Sequence, residues 1–511
     1  MVAIEKLLFN LFSAAGLIGL ALSVLPITSV SSMDGMPEAA VDGAEPTTLV
    51  HLFEWTWNDI ATECETHLGP HGFKGVQISP PQEHIVLPDY GFPWWQRYQP
   101  ISYQLESRSG TRQELAAMIE RCNQAGVEIY ADAVINHMAG FESGVGSAGT
   151  EFTKYEYPSL YSWDDFNDCR QPVTDYGDAE NVTQCELVGL ADLDTSSEYV
   201  QATLVNYMSD LVDLGVSGFR IDAAKHIRAE ELGQIIARLR AAHPDQDLLI
   251  YQEVIDPGTE AIRKEEYYAY GQVLDFEYGR IVSEAFLGKG GRTLAQLETL
   301  GEAWGLAPDH LAVVFIDNHD KQRGHGGGGN YLTHKDDHRY ALANVFMLAF
   351  PYGQPKLMSS YAFEDSEQGP PADAAGVTQP VYQDGVAQCF GDWVCEHRWT
   401  AITNMVGFRN VTQPVAEVTD WWSNGANQIA FGRGDRGFVV INHDTEQLTR
   451  WFQTQLPQGR YCNVVEGALV PANGATACAN GARVIQVNAT GRFIATIPPG
   501  DAIALHVGAQ L

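Results

Sequence analysis

Positive charge is scarce in this sequence. Its 511 residues contain 31 Lys and Arg against 65 Asp and Glu, a formal net charge of −34 at pH 7. Such a surface disfavours nucleic acids, anionic membranes and polyanionic substrates as partners. The 45% hydrophobic and 19% charged content is that of a folded globular protein, and the length predicts one large domain with a smaller one.

Long apolar runs are absent beyond the N-terminus. Only residues 7–25 approach the ~20 apolar residues that a membrane helix needs, and small residues with Pro26 follow them. This layout is typical of a secretory signal with a linker, and a retained signal anchor is the alternative. We expect 1–45 to be signal peptide and linker, with cleavage between Ala21 and Ala44. The mature protein is then extracellular and has no membrane contact.

The sequence also lacks a CxxC pair, which disfavours a zinc site for its eight cysteines. Eight cysteines fit disulfides in an oxidising compartment. Six of them form near-neighbour pairs, and the remaining two are far apart: Cys169/Cys185, Cys389/Cys395, Cys462/Cys478, and Cys64 with Cys122. Since eight cysteines allow about 105 connectivities, spacing alone does not decide the pairing.

From Leu49 onward, short apolar runs alternate with longer stretches of helical periodicity. The eight candidate strands are 49–55, 75–79, 127–137, 218–224, 248–255, 273–278, 312–320 and 356–360. Strand followed by helix, repeated eight times, predicts a parallel (β/α)8 TIM barrel. An open doubly wound sheet is the alternative, but no GxGxxG motif opens a helix here.

Two segments depart from this alternation. Residues 137–194, after the third strand, are too long for an ordinary loop and predict a small inserted domain. Short alternating runs fill 414–511 and predict a C-terminal antiparallel β-sandwich. The barrel domain is then expected to comprise 46–136 and 195–413.

Charged and polar residues collect where the predicted strands end, which is where barrel enzymes build their chemistry. They come from strands three, four, five and seven: Asp132, His137, Arg220, Asp222, Glu253, Asn318, His319 and Asp320. A structural ion pair would explain Arg220 with Asp222 alone. Several acids buried together are costly unless a reaction uses them. One neutral acid beside one ionised carboxylate is what glycosidic-bond cleavage requires, and Arg220 is expected to keep Asp222 ionised.

Four motifs stand in the order of a known enzyme family. They read DAVINH (132–137), GFRIDAAKH (218–226), EVID (253–256) and FIDNHD (315–320), and HLFEW, WWQRYQP, RGHGGGG and CEHRW accompany them. From about Thr48 to Val507 the chain resembles the α-amylase family of glycoside hydrolases, in particular its chloride-dependent branch typified by animal enzymes.

The resemblance implies roles for individual residues. Asp222 matches the catalytic nucleophile, Glu253 the general acid/base and Asp320 the transition-state stabiliser. The implied substrate-binding residues are aromatic or cationic: Trp94, Trp95, Tyr98, His137, Arg220, Lys225, His226, His319 and His325. The implied activity is endo-hydrolysis of α-1,4 bonds in starch, glycogen and maltooligosaccharides, with retention, by a secreted monomer. A glucosidase or glucan-transferring relative is one rival, and a non-catalytic carbohydrate-binding protein is the other.

The resemblance also implies two ions and four disulfides. Structural Ca²⁺ would bind Asn136, Asp192 and the backbone carbonyls of Thr183 and His226, all oxygen ligands. An activating chloride would bind Arg220, Asn318 and Lys356, where the animal enzymes usually carry Arg as the third ligand. Lys holds an anion as a point charge, with less directional grip than Arg. The implied disulfides are Cys64–Cys122, Cys169–Cys185, Cys389–Cys395 and Cys462–Cys478.

Overall fold

Eight parallel strands form a closed barrel and follow one another around it in sequence order. The computed structural model describes residues 45–472 and 475–511, so the predicted signal segment lies outside the described residues except for Glu45. The barrel strands are Leu49–Leu52, Gly75–Ile78, Glu128–Ala133, Gly218–Ile221, Leu249–Gln252, Gln272–Leu274, Ala312–Val314 and Gln354–Ser359. The predicted TIM barrel is confirmed, and the predicted catalytic acids Asp222, Glu253 and Asp320 follow the ends of strands four, five and seven.

The strands are buried on both faces, as parallel strands covered by helices must be. Large apolar side chains fill the barrel interior: Leu49, Tyr130, Tyr251, Leu274, Phe276, Val313 and Phe315. Gly218 opens the fourth strand at a point of close approach. A Cβ there would lie 2.0 Å from the carbonyl oxygen of Leu249, so only glycine fits.

Seven α-helices surround the barrel within the described residues. They are Trp57–Glu63, Arg112–Gln124, Glu198–Asp213, Ala229–Ala242, Phe276–Leu287, His338–Ala349 and Thr400–Thr412. The fifth strand is followed by a 3-10 turn, Lys264–Tyr267, where the strand–helix alternation predicts a full helix. Thr111 and Glu114 form a capping box at the second helix, which pairs two of its free backbone N–H groups.

The segment between the third strand and the helix Glu198–Asp213 contains three two-stranded sheets. Their pairs are His137–Met138 with Ala191–Asp192, Ser143–Val145 with Glu151–Thr153, and Cys169–Pro172 with Cys185–Glu186. A short helix, Ala179–Gln184, also lies here. The first pair places His137 opposite Asp192, so this segment leaves and re-enters the barrel at one point.

The C-terminal part is antiparallel, as predicted. A four-stranded sheet contains Thr419–Ser423, Gln428–Arg433, Gly437–Asn442 and Asp501–His506. Further strand pairs are Leu448–Gln453 with Arg492–Ile497, Gly459–Cys462 with Val484–Val487, and Leu469–Ala472 with Ala475–Cys478. Phe438, Phe452 and Phe493 pack together in the core between these sheets. The domain boundaries given above stay predictions.

The eight cysteines form four disulfides: Cys64–Cys122, Cys169–Cys185, Cys389–Cys395 and Cys462–Cys478. The first closes a separation of 58 residues and joins two regions that flank the second barrel strand. Within residues 45–472 and 475–511, no helix is both long and apolar enough to cross a membrane.

Candidate active site

Arg220, on the fourth barrel strand, contacts three carboxylates at once. Its Nη1 lies 2.7 Å from Oδ1 of Asp132 and 2.6 Å from Oδ1 of Asp222. Its Nη2 lies 2.8 Å from Oε1 of Glu253. Because Arg220 is only 1% exposed, water screens these charges little. One guanidinium therefore gathers acids from the ends of strands three, four and five.

Asp132 holds Arg220 in place and is itself held by two further side chains. Its second carboxylate oxygen accepts hydrogen bonds from the hydroxyl of Tyr98 at 3.1 Å and from Nε2 of Gln77 at 3.2 Å. The residue is fully buried and does not line the cleft. Asp132 therefore fixes the guanidinium of Arg220, while Asp222 and Glu253 face outward.

A strained turn after the fourth strand orients Glu253. Ala223 has φ of +47°, in the left-handed region that non-glycine residues rarely adopt. In this conformation its N–H donates to Oε2 of Glu253 at 3.0 Å. Both oxygens of Glu253 are thereby held, one by Arg220 and the other by the backbone.

Burial favours protonation in this cluster. It raises the pKa of Asp222 well above its usual value, and the charges of Glu253 and Asp132 act in the same direction. Arg220 lowers the pKa of Asp222, as expected, but burial acts in the opposite direction and has the larger effect. Burial, with the charge of Glu253, also raises the pKa of Asp320 to about 6. Burial and the guanidinium of Arg220 therefore act in opposite directions on these carboxyl groups.

The three predicted catalytic acids share one cleft of about 470 Å³. Asp222, Glu253 and Asp320 all line it. Seven of the predicted substrate-binding residues also line it: Trp94, Trp95, Tyr98, His137, Lys225, His226 and His319. Arg220 lies behind Asp222 and does not line the cleft. His325 lies outside the lining as well, with its ring centroid 5.7 Å from that of Trp94.

A buried ion pair positions the aromatic wall of this cleft. The 3-10 turn Trp94–Tyr98 carries Arg97, whose Nη1 lies 3.2 Å from Oε2 of Glu54 and whose Nη2 donates to the carbonyl of Pro80 at 2.6 Å. The next residue, Tyr98, stacks on His319 with centroids 5.1 Å apart. Glu54 of the HLFEW motif thus holds the WWQRY turn against the barrel.

Part of the cleft lining was not predicted from the sequence. It contains Tyr176, Leu187, Val188 and Leu190 from the inserted segment, and Ile255 and Glu260 after strand five. The Lys225 ammonium contacts the Glu260 carboxylate and donates to the carbonyl of Ile255 at 2.6 Å. These residues lie in loops, where neither period nor spacing marks a side chain as facing a cleft.

A lysine that sequence reasoning also missed holds the glycine-rich loop. Lys321 Nζ contacts the carbonyl of Gly326 and donates to that of Gly328 at 2.9 Å. The glycines of this loop adopt positive φ, which lets the backbone curl around one ammonium group. Gly326 and Gly327 line the cleft, so Lys321 fixes that part of its surface.

The predicted calcium ligands come from the inserted segment and from the barrel strand ends next to it. Asp192 is 3% exposed and accepts hydrogen bonds from Asn136 Nδ2 at 3.2 Å and Asn167 Nδ2 at 2.8 Å. No Lys, Arg or His among the described residues forms an ion pair with it. His226 Nδ1 lies 2.9 Å from the carbonyl of Val182, next to Thr183. A buried carboxylate that lacks a cationic partner among the described residues fits a hard cation such as Ca²⁺.

One of the predicted chloride ligands, Lys356, is a buried positive charge without a carboxylate partner among the described residues. Lys356 is 3% exposed, and its Nζ donates to Oε1 of Gln77 at 3.1 Å. No carboxylate of the described part of the chain lies within ion-pair distance of it. Burial, with the nearby charge of Arg220, lowers the pKa of Lys356 to about 8. A buried ammonium near a second buried cation fits an anion, and Asn318 is buried as well.

One other group has the spacing of a metal site, in the described ranges: Glu63, His67 and His397. Arg398 donates to both oxygens of Glu63, at 2.8 and 2.7 Å, and Tyr382 donates to one of them at 2.6 Å. These contacts already satisfy the carboxylate. We assign this group a structural role.

Comparison with known proteins places the chain in a family. Residues 94–355 match the profile described as the catalytic domain of alpha amylase, and 421–508 match that of its C-terminal all-beta domain. An α-amylase of Tribolium castaneum is 47% identical over 92% of this chain and 95% of its own length. One of Tenebrio molitor is 45% identical over 91% of this chain and 98% of its own length.

Solved structures of α-amylases are also similar to this chain. Wild-type α-amylase I of Eisenia fetida superposes with a TM-score of 0.85 at 40% identity, covering 93% of this chain and 100% of that one. A variant of the same enzyme in complex with maltohexaose gives 0.84 at 39%, covering 92% and 99%. The chain belongs to the α-amylase family, and its resemblance to animal-type members is confirmed. The predicted enzyme class, a glycoside hydrolase of α-amylase type, is confirmed with it.

Lys321→Met tests the lysine beside Asp320. Lys321 lowers the pKa of Asp320, so its removal raises that pKa further above about 6. Asp320 is expected to accept hydrogen bonds from sugar hydroxyls in its ionised form. The acidic limb of the pH profile of kcat/KM on a maltooligosaccharide should then move to higher pH. Lys321→Arg keeps the charge and serves as the control. An unchanged acidic limb in Lys321→Met would show that Lys321 and Asp320 do not determine the pH dependence of kcat/KM.

Proposed function

We propose that this enzyme cleaves internal α-1,4-glucosidic bonds of starch, glycogen and maltooligosaccharides with retention of configuration. The observation that carries the proposal is the shared guanidinium: Arg220 binds Asp222 and Glu253, which open into one cleft with Asp320. Retaining enzymes hold their two carboxyl groups about 5–5.5 Å apart, and a common guanidinium favours such close spacing. The maltohexaose complex of a structural neighbour supports the substrate class.

The chemistry divides among the three acids. Asp222 attacks the anomeric carbon, and a glycosyl–carboxylate bond forms as the glycosidic C–O bond breaks. Glu253 donates its proton to the departing sugar oxygen, then accepts one from the water that releases the glycosyl group. Asp320 accepts hydrogen bonds from sugar hydroxyls as the ring flattens. Tyr98, Trp95 and the cleft histidines hold the rings in register.

The same proposal includes a secreted, monomeric protein. Four disulfides support an oxidising compartment, and the strong negative charge supports a well-solvated surface. A glucosidase or glucan-transferring enzyme on the same scaffold would release single glucose units or lengthened chains. The products formed from soluble starch separate these activities from endo-hydrolysis.

Asp222→Asn tests the catalytic assignment. It keeps the side-chain shape but removes the nucleophile, so kcat on a blocked maltooligosaccharide should fall by about 10⁴-fold or more. Asp164→Asn, at an exposed acid of the inserted segment, is the matched control and should leave kcat unchanged. For the wild type, NMR should show the α-anomer as the first-formed product. A β-anomer formed first would refute retention.

Calcium would bind at Asp192, Asn136 and the carbonyls of Thr183 and His226, where it supplies a positive charge that joins the inserted segment to the barrel. We expect wild type to contain bound calcium by atomic absorption and to lose Tm in EDTA. Asp192→Asn should lower the bound calcium and abolish the EDTA effect, while Asp164→Asn keeps both. A Tm and activity unaffected by EDTA in the wild type would count against the site.

Chloride would bind between Arg220, Asn318 and Lys356, where it supplies negative charge close to the catalytic acids. Lys356 loses its proton as pH rises through about 8, so activation by chloride should weaken above that pH. Lys356→Arg should bind chloride more tightly and keep the activation at higher pH. Lys356→Met should lose the activation. Full wild-type activity without chloride, other halides or nitrate would refute this site.

A further inference from the structure

Three aromatic side chains form a surface that begins in the cleft and ends in solvent. Trp95 lines the cleft, and the plane of Phe141 lies within 11° of parallel to it, with centroids 6.3 Å apart. Tyr90 meets both edge-on, with centroids 6.2 Å from Trp95 and 5.6 Å from Phe141. Tyr90 is 61% exposed, so this aromatic surface is not part of the core.

Each of the three rings is held by a different part of the chain. Trp95 Nε1 donates to Oε2 of Glu367 at 2.6 Å, which fixes the orientation of its indole. Tyr90 ends the 3-10 turn Pro88–Tyr90, which Gly91 closes with φ of +72°. Phe141 lies in the inserted segment. The loop before Trp94 and the inserted segment thus meet through aromatic contacts as well as through the backbone hydrogen bond from Val86 N–H to the carbonyl of Val145.

Apolar rings left in contact with water are unfavourable unless a ligand covers them at some stage. Flat aromatic faces stack on apolar faces of sugar rings, and Tyr adds a hydroxyl for hydrogen bonding. A neutral glucan is also compatible with a protein of net charge −34, which repels anionic ligands. Trp95 belongs both to the cleft lining and to this aromatic surface. The ligand that covers the surface is therefore the same glucan chain that lies in the cleft.

We propose that Tyr90 and Phe141, with Trp95, form an outer glucan subsite that binds the part of an α-glucan chain emerging from the cleft. This rests on the proposed function, since the chain must first be held across the catalytic acids. Tyr90 and Phe141 lie outside the cleft lining, so they add affinity only for chains long enough to extend beyond Trp95. Tyr90 and Phe141 are therefore specificity-determining residues for chain length.

The test compares substrates of two lengths. We expect Phe141→Ala and Tyr90→Ala to lower kcat/KM on maltoheptaose about fivefold, which corresponds to about 1 kcal/mol. The kcat/KM on a blocked chromogenic maltotrioside should stay unchanged. Tyr90→Phe keeps the ring and should retain most of the wild-type value. Tyr199→Ala, at a 50% exposed tyrosine outside the cleft, is the matched control and should change neither substrate.

Equal kcat/KM for wild type and both alanine variants on maltoheptaose would overturn the subsite. So would an equal loss on both substrates, because the residues would then act by holding Trp95 or the fold. Failure of the proposed function is distinguishable, since the wild type itself would then hydrolyse neither substrate. In that case calorimetric titration with maltoheptaose still decides the subsite: weaker binding by Phe141→Ala supports it, and unchanged binding overturns it.

Discussion

The guanidinium of Arg220 is the contact on which the rest of the site depends. Its two terminal nitrogens bind acids contributed by three neighbouring strands, and none of these charges is well solvated. Without it, Asp132, Asp222 and Glu253 would be uncompensated buried carboxylates, an arrangement that destabilises proteins by several kcal/mol. The barrel makes this arrangement possible, because adjacent parallel strands end at one rim.

Two further buried charges, Asp192 and Lys356, each lack a counter-charge among the described residues. Asp192 is a carboxylate surrounded by amides, and Lys356 is an ammonium bound to an amide oxygen. Buried ions are normally paired, so the two residues point to a cation and an anion respectively. The segment 218–226 contributes a residue to each proposed site: His226 to the calcium site and Arg220 to the chloride site. One short segment therefore contributes a catalytic acid and a residue of each proposed ion site.

The sequence predicts the barrel, the antiparallel C-terminal part and the gathering of Asp222, Glu253 and Asp320. This works because periodicity locates strands and parallel strands bring their ends together. The direction in which the pKa of Asp222 is shifted could not be predicted in this way, because the burial that raises it is a property of the folded cleft. Loop contributions such as Lys321 and Phe141 were missed for the same reason, because no repeat in a loop indicates where a side chain points.

The central claim is tested most directly by measuring Tm against pH for wild type and Arg220→Gln. Loss of the guanidinium raises the pKa of Asp132 and Asp222 further in the folded protein. Acids with a raised folded-state pKa contribute stability below their unfolded pKa of about 4 and lose it as pH rises. We predict that the Tm deficit of the variant is small at pH 5 and grows toward pH 8. A deficit independent of pH would contradict the account.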